Sequence, residues 1–589
     1  MIRSLTSSLD SFKSLHFHDG LNVILAQKSP GASDRQTRNG AGKTSFIELV
    51  HFLLGGNCGP EHFLQVELLA THAFAIDFDL RDSPIQVERT ARAKSKVAVT
   101  GGDVRAWPRA PKLDKKTGHL VLRNSDWRAV LGAMMFGIPA DNEEDEDRRF
   151  GPTFRSLFPY FARRQNAGGL VSPEKQSEDQ QPYDQQVALS YLLGLDASIP
   201  QQLQEVRQRE KALKEVRKAA KEGAFGEFVP RAADLRTKLT VHEARLSRLR
   251  GELDSFHVVP EYRHLEEEAA DLTKRLDEDA NENQTDRELA RRLEESMRTE
   301  TPPQFADVRH MYEEAGIILS ALVRKRFEEV QIFHRSVVEN RRSHLRAELE
   351  AARRRLHERE IEQERLDRRR AEIMSILRSG GALEQFAKLQ GELGRLEAQT
   401  ESLRRRFEAA ETLERNGAQL QVERARLYQR LKDDHHEQKE AIDVATLAFE
   451  DLSNALYEKA GSLTVSDTAN GPSFEITIEG SRSKGISNMQ IFCFDMMLME
   501  LCARRGMGPG FLIHDSHLFD GVDGRQVAHA IELGAARARK LGFQYIVTMN
   551  EDAVPRTEFT PGFRFDEHVV GVRLTDAVDD GGLFGIRFQ

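Results

Sequence analysis

Cysteine is scarce in this 589-residue chain: Cys58, Cys493 and Cys502 are the only three, and no two stand in a CxxC pair. A disulfide framework and a zinc site built from cysteine pairs are therefore not expected. Aromatic residues make up only 7% of the sequence, against 30% charged residues. That balance is lean for a chain made solely of globular cores and normal for one with long solvated helices. There is no excess of positive charge either. The net charge of −9 means that any nucleic-acid contact must come from a local basic face. The opening, Met1 to Phe17, lacks the apolar core of a signal peptide. No run of about eighteen uninterrupted apolar residues exists, so no membrane span is expected, and a reducing cytoplasm is the default.

The chain is long enough for several units, and its texture divides it into three. Residues 1–196 are mixed, with glycines, prolines and short apolar runs. Residues 197–454 are dominated by Glu, Arg, Leu, Ala and Gln, with little glycine. Residues 455–589 return to a mixed composition. In the middle region Leu235, Leu239, His242, Leu246, Leu249, Leu253 and Phe256 step alternately by four and three. Leu389, Leu393, Leu396, Thr400, Leu403 and Phe407 repeat the pattern. Sustained spacing of this kind, with charges between, predicts the seam of a coiled coil.

Breaks at Val258-Val259-Pro260 and Ser379-Gly380-Gly381 flank Thr301-Pro302-Pro303, and the prolines should stop a helix. A reversal at residues 300–325 would make the arm antiparallel and set the outer breaks opposite each other as an elbow. Each arm of roughly 100 residues would reach about 150 Å if wholly helical. The tip has no cysteine for a zinc hook, while Ile317, Ile318, Leu319, Leu322 and Val323 suit a packed end. Arg353-Arg354-Arg355 and Arg368-Arg369-Arg370 are basic, but interspersed glutamates favour a solvated helix face over a DNA contact.

The strongest chemical motif lies near the start. The apolar strand Gly20 to Leu25 is followed by a polar loop, then Arg38-Asn39-Gly40-Ala41-Gly42-Lys43-Thr44, then Ser45 and a helix-periodic run to Leu54. Strand, glycine loop and helix are the context of a phosphate-binding loop. Gly40 and Gly42 let backbone N–H groups approach phosphate, and the helix N-terminus adds positive potential. Lys43 suits the β- and γ-phosphates of ATP and Thr44 suits Mg²⁺. Thr37 stands where the first glycine of the full motif is usual. Far downstream, Phe511-Leu512-Ile513-His514-Asp515 reads as a buried strand ending in an acid able to hold the Mg²⁺ shell. The stretch Gln544 to Asn550 reads as the next strand, with a helix between them. This is the βαβ rhythm of a parallel sheet, whose ligands sit at strand C-terminal ends.

This motif order resembles the SMC/RecF/RecN-like ABC-type ATPases: a Walker A half, a coiled-coil excursion, then a signature and Walker B half. The resemblance implies an α/β P-loop ATPase head assembled from both ends of the chain, with a long antiparallel helical insertion. Within that group the patterns Gly20-Leu21-Asn22-Val23-Ile24-Leu25 and His514-Asp515-Ser516-His517-Leu518-Phe519-Asp520 look closest to the YydD-like bacterial family. Members of that group are often associated with defence or mobile-element modules.

The resemblance also implies roles for individual residues. Asn39, Gly40, Ala41, Gly42, Lys43, Thr44 and Ser45 would bind nucleotide, with Asn550 as the γ-phosphate sensor. Thr44, Gln165 (as the Q-loop glutamine) and Asp515 would surround Mg²⁺. Ile486-Ser487-Asn488-Met489-Gln490 stands where a signature is expected, with Ser487 as a helix N-cap facing the ATP of a second subunit. Both signature glycines are replaced, by Asn488 and Met489, and Asp523 resembles the D-loop acid.

Ser516 stands where such ATPases place a catalytic glutamate. Serine is a poor base near neutral pH. Three readings stay open: His517 takes over as base, another acid such as Asp520 approaches, or the head hydrolyses ATP slowly and acts as a switch. Two functions follow. One is a DNA-associated ATPase whose heads form an ATP-dependent homodimer and move the arms. The other is a nucleotide-gated scaffold that recruits a separately encoded effector subunit. A purely structural coiled coil fits the phosphate loop poorly.

Overall fold

The computed structural model describes residues 1–27, 42–115, 117–140, 149–221, 231–256, 260–299, 321–377, 383–457, 460–478, 483–575, 578 and 580–586. The chain divides into two compact units. The first combines Met1–Leu213 with Ala418–Gln589, and the second is Lys214–Gly417.

Among its described residues the first unit holds three sheets. In a seven-stranded antiparallel sheet the order is β2-β1-β4-β5-β6-β8-β7. Its strands are β1 (Ile2–Ser7), β2 (Leu15–His16), β4 (Ala73–Leu80), β5 (Ser83–Thr90), β6 (Lys96–Gly101), β7 (Lys112–Leu113) and β8 (Leu120–Arg123). A hairpin joins β9 (Ser462–Thr468) to β10 (Gly471–Thr477). The third sheet is wholly parallel, with β3 (Leu21–Ala26) between β12 (Gln544–Asn550) and β13 (Val569–Leu574), and β11 (Phe511–His514) beyond β12. Every residue of β3 and β11 is buried. That explains their continuous apolar runs, since a parallel strand covered on both faces does not alternate.

This parallel sheet is made from both ends of the chain: β3 pairs along its length with β12, more than 500 residues away. Gln544 fastens the join. Its carboxamide accepts from the Ile2 N–H at 2.9 Å and donates to the carbonyls of Ile2 and His18, each at 2.9 Å. The Lys484–Arg504 helix is apolar nearly all round, with sixteen of its residues buried from Gly485 to Cys502. It is long and apolar enough to cross a membrane by composition alone. Its burial inside the unit marks it as a core helix. Cys58, Cys493 and Cys502 are free and buried.

The second unit is almost entirely helical, with helices Ala232–Asp254, Pro260–Thr299 and Ala321–Leu377 followed by residues 383–417 of the Leu383–Glu437 helix. Its cross-helix pairs run antiparallel. As one partner advances from Glu243 through Arg250, Glu268 and Asp286 to Glu294, the other retreats from Arg404 through Glu397, Arg369 and Arg355 to Arg353. Part of the predicted seam forms an apolar cluster: Leu235 is buried and packs against Ala410, with Leu403 and Phe407 alongside. Of the two predicted outer breaks, Val258, Val259, Ser379, Gly380 and Gly381 lie outside the described residues, but their flanks are described. Helices end at Asp254 and Leu377 and restart at Pro260 and Leu383, and the rings of Phe256 and Phe386 lie 6.0 Å apart. The predicted tip at 300–320, including Ile317, Ile318 and Leu319, lies outside the described residues, as do the side chains of Leu322 and Val323. Arg353, Arg355, Arg368, Arg369 and Arg370 are all in ion pairs with acids of the unit, so the two basic runs are largely neutralised.

Candidate functional site

The C-terminal ends of β3, β12 and β11 form one edge of the parallel sheet. The chain leaves β3 and re-enters description at Gly42, so Arg38, Asn39, Gly40 and Ala41 lie outside the described residues. Gly42 has φ 90° and caps the Lys43–Leu53 helix. A β-carbon there would lie 2.8 Å from the Leu583 side chain. Only glycine fits, both for the left-handed backbone and for the close approach.

Lys43 begins this helix and is buried. Its ammonium donates to the Asn550 side-chain oxygen at the end of β12. Thr44 Oγ1 donates to Asp515 Oδ2 at 3.2 Å, joining the helix to the end of β11. Lys43, Thr44, Asp515 and Asn550, read from three separate stretches of sequence, thus lie together. Ser45 is half-buried in the first helical turn.

Asp515 is enclosed. Its Oδ1 accepts from Ser516 Oγ at 3.0 Å, from the His517 backbone N–H at 3.3 Å and from His517 Nδ1 at 3.0 Å. Burial opposes its ionisation, but these bonds, led by His517, outweigh that and hold the carboxyl below its ordinary range. The same hydrogen bond raises His517 above its usual 6.5, with burial working against it. An ionised carboxylate only accepts, so Nδ1 carries a proton and Nε2 is the atom that gains and loses one. Ser516 is turned inward: its N–H donates to Thr548 Oγ1 at 3.1 Å.

A hydroxyl and a carboxylate oxygen converging beside a buried ammonium suit Mg²⁺ bound to a polyphosphate. That ion takes few protein ligands and completes its shell with phosphate and water. Among the described residues no cluster of three or more His, Cys, Asp or Glu could hold a metal alone. Gln165 opens a short turn and is exposed. No hydrogen bond joins its side chain to Thr44 or Asp515 among the described residues. Its neighbour Arg164 instead reaches Glu48 on the Lys43–Leu53 helix at 3.4 Å.

The signature segment departs from expectation. Ser487 is not the N-cap: the helix starts at Lys484 after Ser483, and the Ser487 N–H donates to the Ser483 carbonyl at 3.0 Å. The apolar run beginning at Ile491 concealed the extra polar turn that precedes it. Asn488, which stands where a glycine is usual, has a structural task. Its amide donates to the carbonyls of His517 at 3.2 Å and Asp520 at 3.1 Å, tying this helix to the loop after Asp515. Gly485 lies against the Gly521 carbonyl so closely that any β-carbon would collide with it. Asp523 caps the Gly524–Leu541 helix, accepting from the Arg525 N–H at 3.0 Å.

Sequence reading missed a buried network behind the site. Arg163 and Asp495 are 1% and 0% exposed and pair through Nε at 2.6 Å. The guanidinium also donates to the carbonyls of Gly169, Ser172, Pro173 and Lys175. His514 lies beside Asp495, with Nε2 3.5 Å from Oδ2, and its Nδ1 meets the Tyr545 hydroxyl at 3.0 Å. Burial lowers the His514 pKa. A charged residue inside the apolar Phe492–Met499 run was the available signal.

Residues 452–588 match the family model described as an uncharacterised protein conserved in bacteria (DUF2326). Residues 287–414 match the model of C-terminal domain 10 of the ABC-three component (ABC-3C) systems. Neither description names the YydD-like family. No curated protein matches the chain. Solved structures similar to it include the Smc head domain with a coiled coil and joint from Pyrococcus yayanosii. That match has 13% identity and TM-score 0.35, over 99% of this chain and 96% of that one. Another is the Smc head domain with an extended coiled coil bound to the C-terminal domain of ScpA, from Pyrococcus furiosus. It has 11% identity and TM-score 0.34, over 94% and 90%.

Proposed function

We propose that the first unit is an ABC-type head that binds ATP with Mg²⁺, and that two such heads close around nucleotide as an SMC-like homodimer that moves the helical arm. The observation that carries this reading is the meeting of Lys43, Thr44, Asp515 and Asn550 at adjacent C-terminal ends of one parallel sheet. Such an edge is where a parallel sheet takes its ligand.

In this reading Lys43 neutralises phosphate, Asn550 positions Lys43 and senses the terminal phosphate, and Thr44 with Asp515 holds the ion. Neutral His517, oriented by Asp515, takes a proton from water through Nε2. The bound Mg²⁺ would supply charge neutralisation at the phosphates. Asn39, Gly40, Ala41 and Ser45 would complete the cradle, Gln165 would reach the ion on closure, and Ser487 would serve the partner's nucleotide. The finer YydD-like assignment rests on the two sequence patterns alone.

The setting is DNA-associated work in the cytoplasm, in genome maintenance or defence against phage and mobile elements, with further protein subunits. The match to a domain of the ABC-three component systems supports several components. The second reading, a slow nucleotide-gated switch that recruits a separate effector, is favoured by one observation. Ser516 hydrogen-bonds to Asp515 and Thr548, and supplies no base.

Turnover of ATP with and without DNA, together with mass in solution with and without ATP, separates the readings. DNA-stimulated turnover lost in Lys43→Ala supports the first. ATP-dependent dimers with negligible turnover support the second. Absence of ATP binding contradicts both.

A further inference from the structure

Four consecutive residues, Phe161 to Arg164, bond in turn to different elements of the first unit. The Phe161 carbonyl accepts from the Ile513 N–H at 2.8 Å, and Ala162 bridges Ile513 in parallel, so the segment adds a short edge beyond β11. The Ala162 carbonyl accepts from His51 Nε2 of the Lys43–Leu53 helix at 2.6 Å. Arg163 pairs with Asp495 of the Lys484–Arg504 helix. Arg164 returns to the Lys43–Leu53 helix through Glu48. Two residues beyond the Ala162–Ile513 bridge the chains reach Arg164 and Asp515, so Gln165 leaves from the same sheet edge as Asp515.

Arg163 is the centre round which the following loop is wound. Its Nη1 donates to the carbonyls of Gly169, Ser172 and Lys175, and its Nη2 to that of Pro173. The remaining donors go to Asp495. A buried pair that only filled the core could be exchanged for apolar residues with little loss of stability. A planar fork aimed at four loop carbonyls instead specifies one path for residues 165–175. The loop supplies little apolar packing of its own, since Val171 is 71% exposed. On its other side Asp495 Oδ2 lies 3.5 Å from Nε2 of His514, the chain neighbour of Asp515. One buried ion pair thus borders both the loop that carries Gln165 and the strand that leads into Asp515.

We propose that Arg163, acting with Asp495, is a positioning residue for Mg²⁺-nucleotide: it sets the path of the Gln165 loop against Asp515 and so tunes how firmly the ion is held. The proposal rests on the reading of Lys43, Thr44, Asp515 and Asn550 as the nucleotide site. Arg163 itself touches neither nucleotide nor ion.

The test is equilibrium binding of ATP to the full chain over a range of Mg²⁺ concentrations and in EDTA, with hydrogen exchange of residues 165–175 in the ligand-free chain. Arg163→Lys keeps the charge and loses the fork. Arg163→Met/Asp495→Leu removes both buried charges together, so it keeps the fold if the lysine variant does not. In these variants the loop should exchange about tenfold faster. The Mg²⁺ concentration at half-maximal ATP binding should rise about tenfold, with affinity in EDTA unchanged. Gln165→Ala should raise the same concentration, and adding it to either Arg163 variant should change little further. A purely structural role would lower Tm and leave the Mg²⁺ requirement alone.

An unchanged Mg²⁺ requirement in the Arg163 variants, a loop that exchanges no faster, no effect of Gln165→Ala, or effects that multiply in full would each overturn the positioning role. If ATP binding is still lost in Lys43→Ala, the nucleotide site itself stands. No ATP binding by the natural chain, or equal binding by Lys43→Ala, would remove that site and the proposal with it.

Discussion

The two units are stabilised in opposite ways. In the helical unit, partners meet because a repeat of three and four residues keeps one apolar stripe on each helix, and exposed ion pairs decorate it. Arg353 and Glu294, 60% and 49% exposed, are representative. In the first unit, residues hundreds of positions apart meet because a parallel sheet is closed from both chain ends. Unlike the helical unit's pairs, the Arg163–Asp495 pair there is wholly buried. A periodic arm tolerates substitution while keeping its shape, whereas a site assembled from distant strands holds only if each tie is present.

Five substitutions sharpen this contrast, beginning with the largest effect. Asp495→Leu leaves the Arg163 guanidinium buried without its counter-charge and should cost the head about 3–5 kcal/mol, read by urea unfolding. Adding Arg163→Met should recover a large part of that loss. If Asp495→Leu is silent, the head is not held by buried charge. Gly485→Val should cost about 1–3 kcal/mol by overpacking against the Gly521 carbonyl, with nucleotide binding as a second readout.

A smaller effect concerns charge alone. The His517 ring should titrate above 6.5 by NMR and fall back toward that value in Asp515→Asn. Because the folded pKa is raised, the His517–Asp515 attraction stabilises fully below 6.5 and is lost as pH rises through the folded value. A His517-dependent turnover would therefore increase over that same window above 6.5. Smallest of all, Glu294→Gln in the helical unit should change stability by less than about 1 kcal/mol.

The same contrast explains what the sequence disclosed. Periodicity is a local property, so the seam from Leu235 to Phe256 and its return were countable, and so were the breaks now flanked by Phe256 and Phe386. The phosphate loop and the acid at Asp515 were legible because each is a short motif at a strand end. Long-range ties were not. Nothing near Arg163 signals a partner 332 residues away, and Gln544 reads as an ordinary first strand residue until Ile2 lies beside it. Ser487 has the residue type of an N-cap, but polar residues precede it in the same helix and the cap is Ser483. The consensus view of Asn488 as a defective glycine hid its two hydrogen bonds to the loop after Asp515. The seven-stranded antiparallel sheet has pairs set by hairpins and crossovers that composition does not reveal.

The most direct measurement is equilibrium binding of Mg²⁺-ATP to the full chain and to Lys43→Ala, Asp515→Asn and Asn550→Ala. The account predicts saturable binding to the natural chain, a loss of at least tenfold in Lys43→Ala, and weakening in the other two. In Asp515→Asn that weakening should be confined to the Mg²⁺-dependent part. Equal affinity of the natural chain and Lys43→Ala, or no binding by the natural chain, would contradict it.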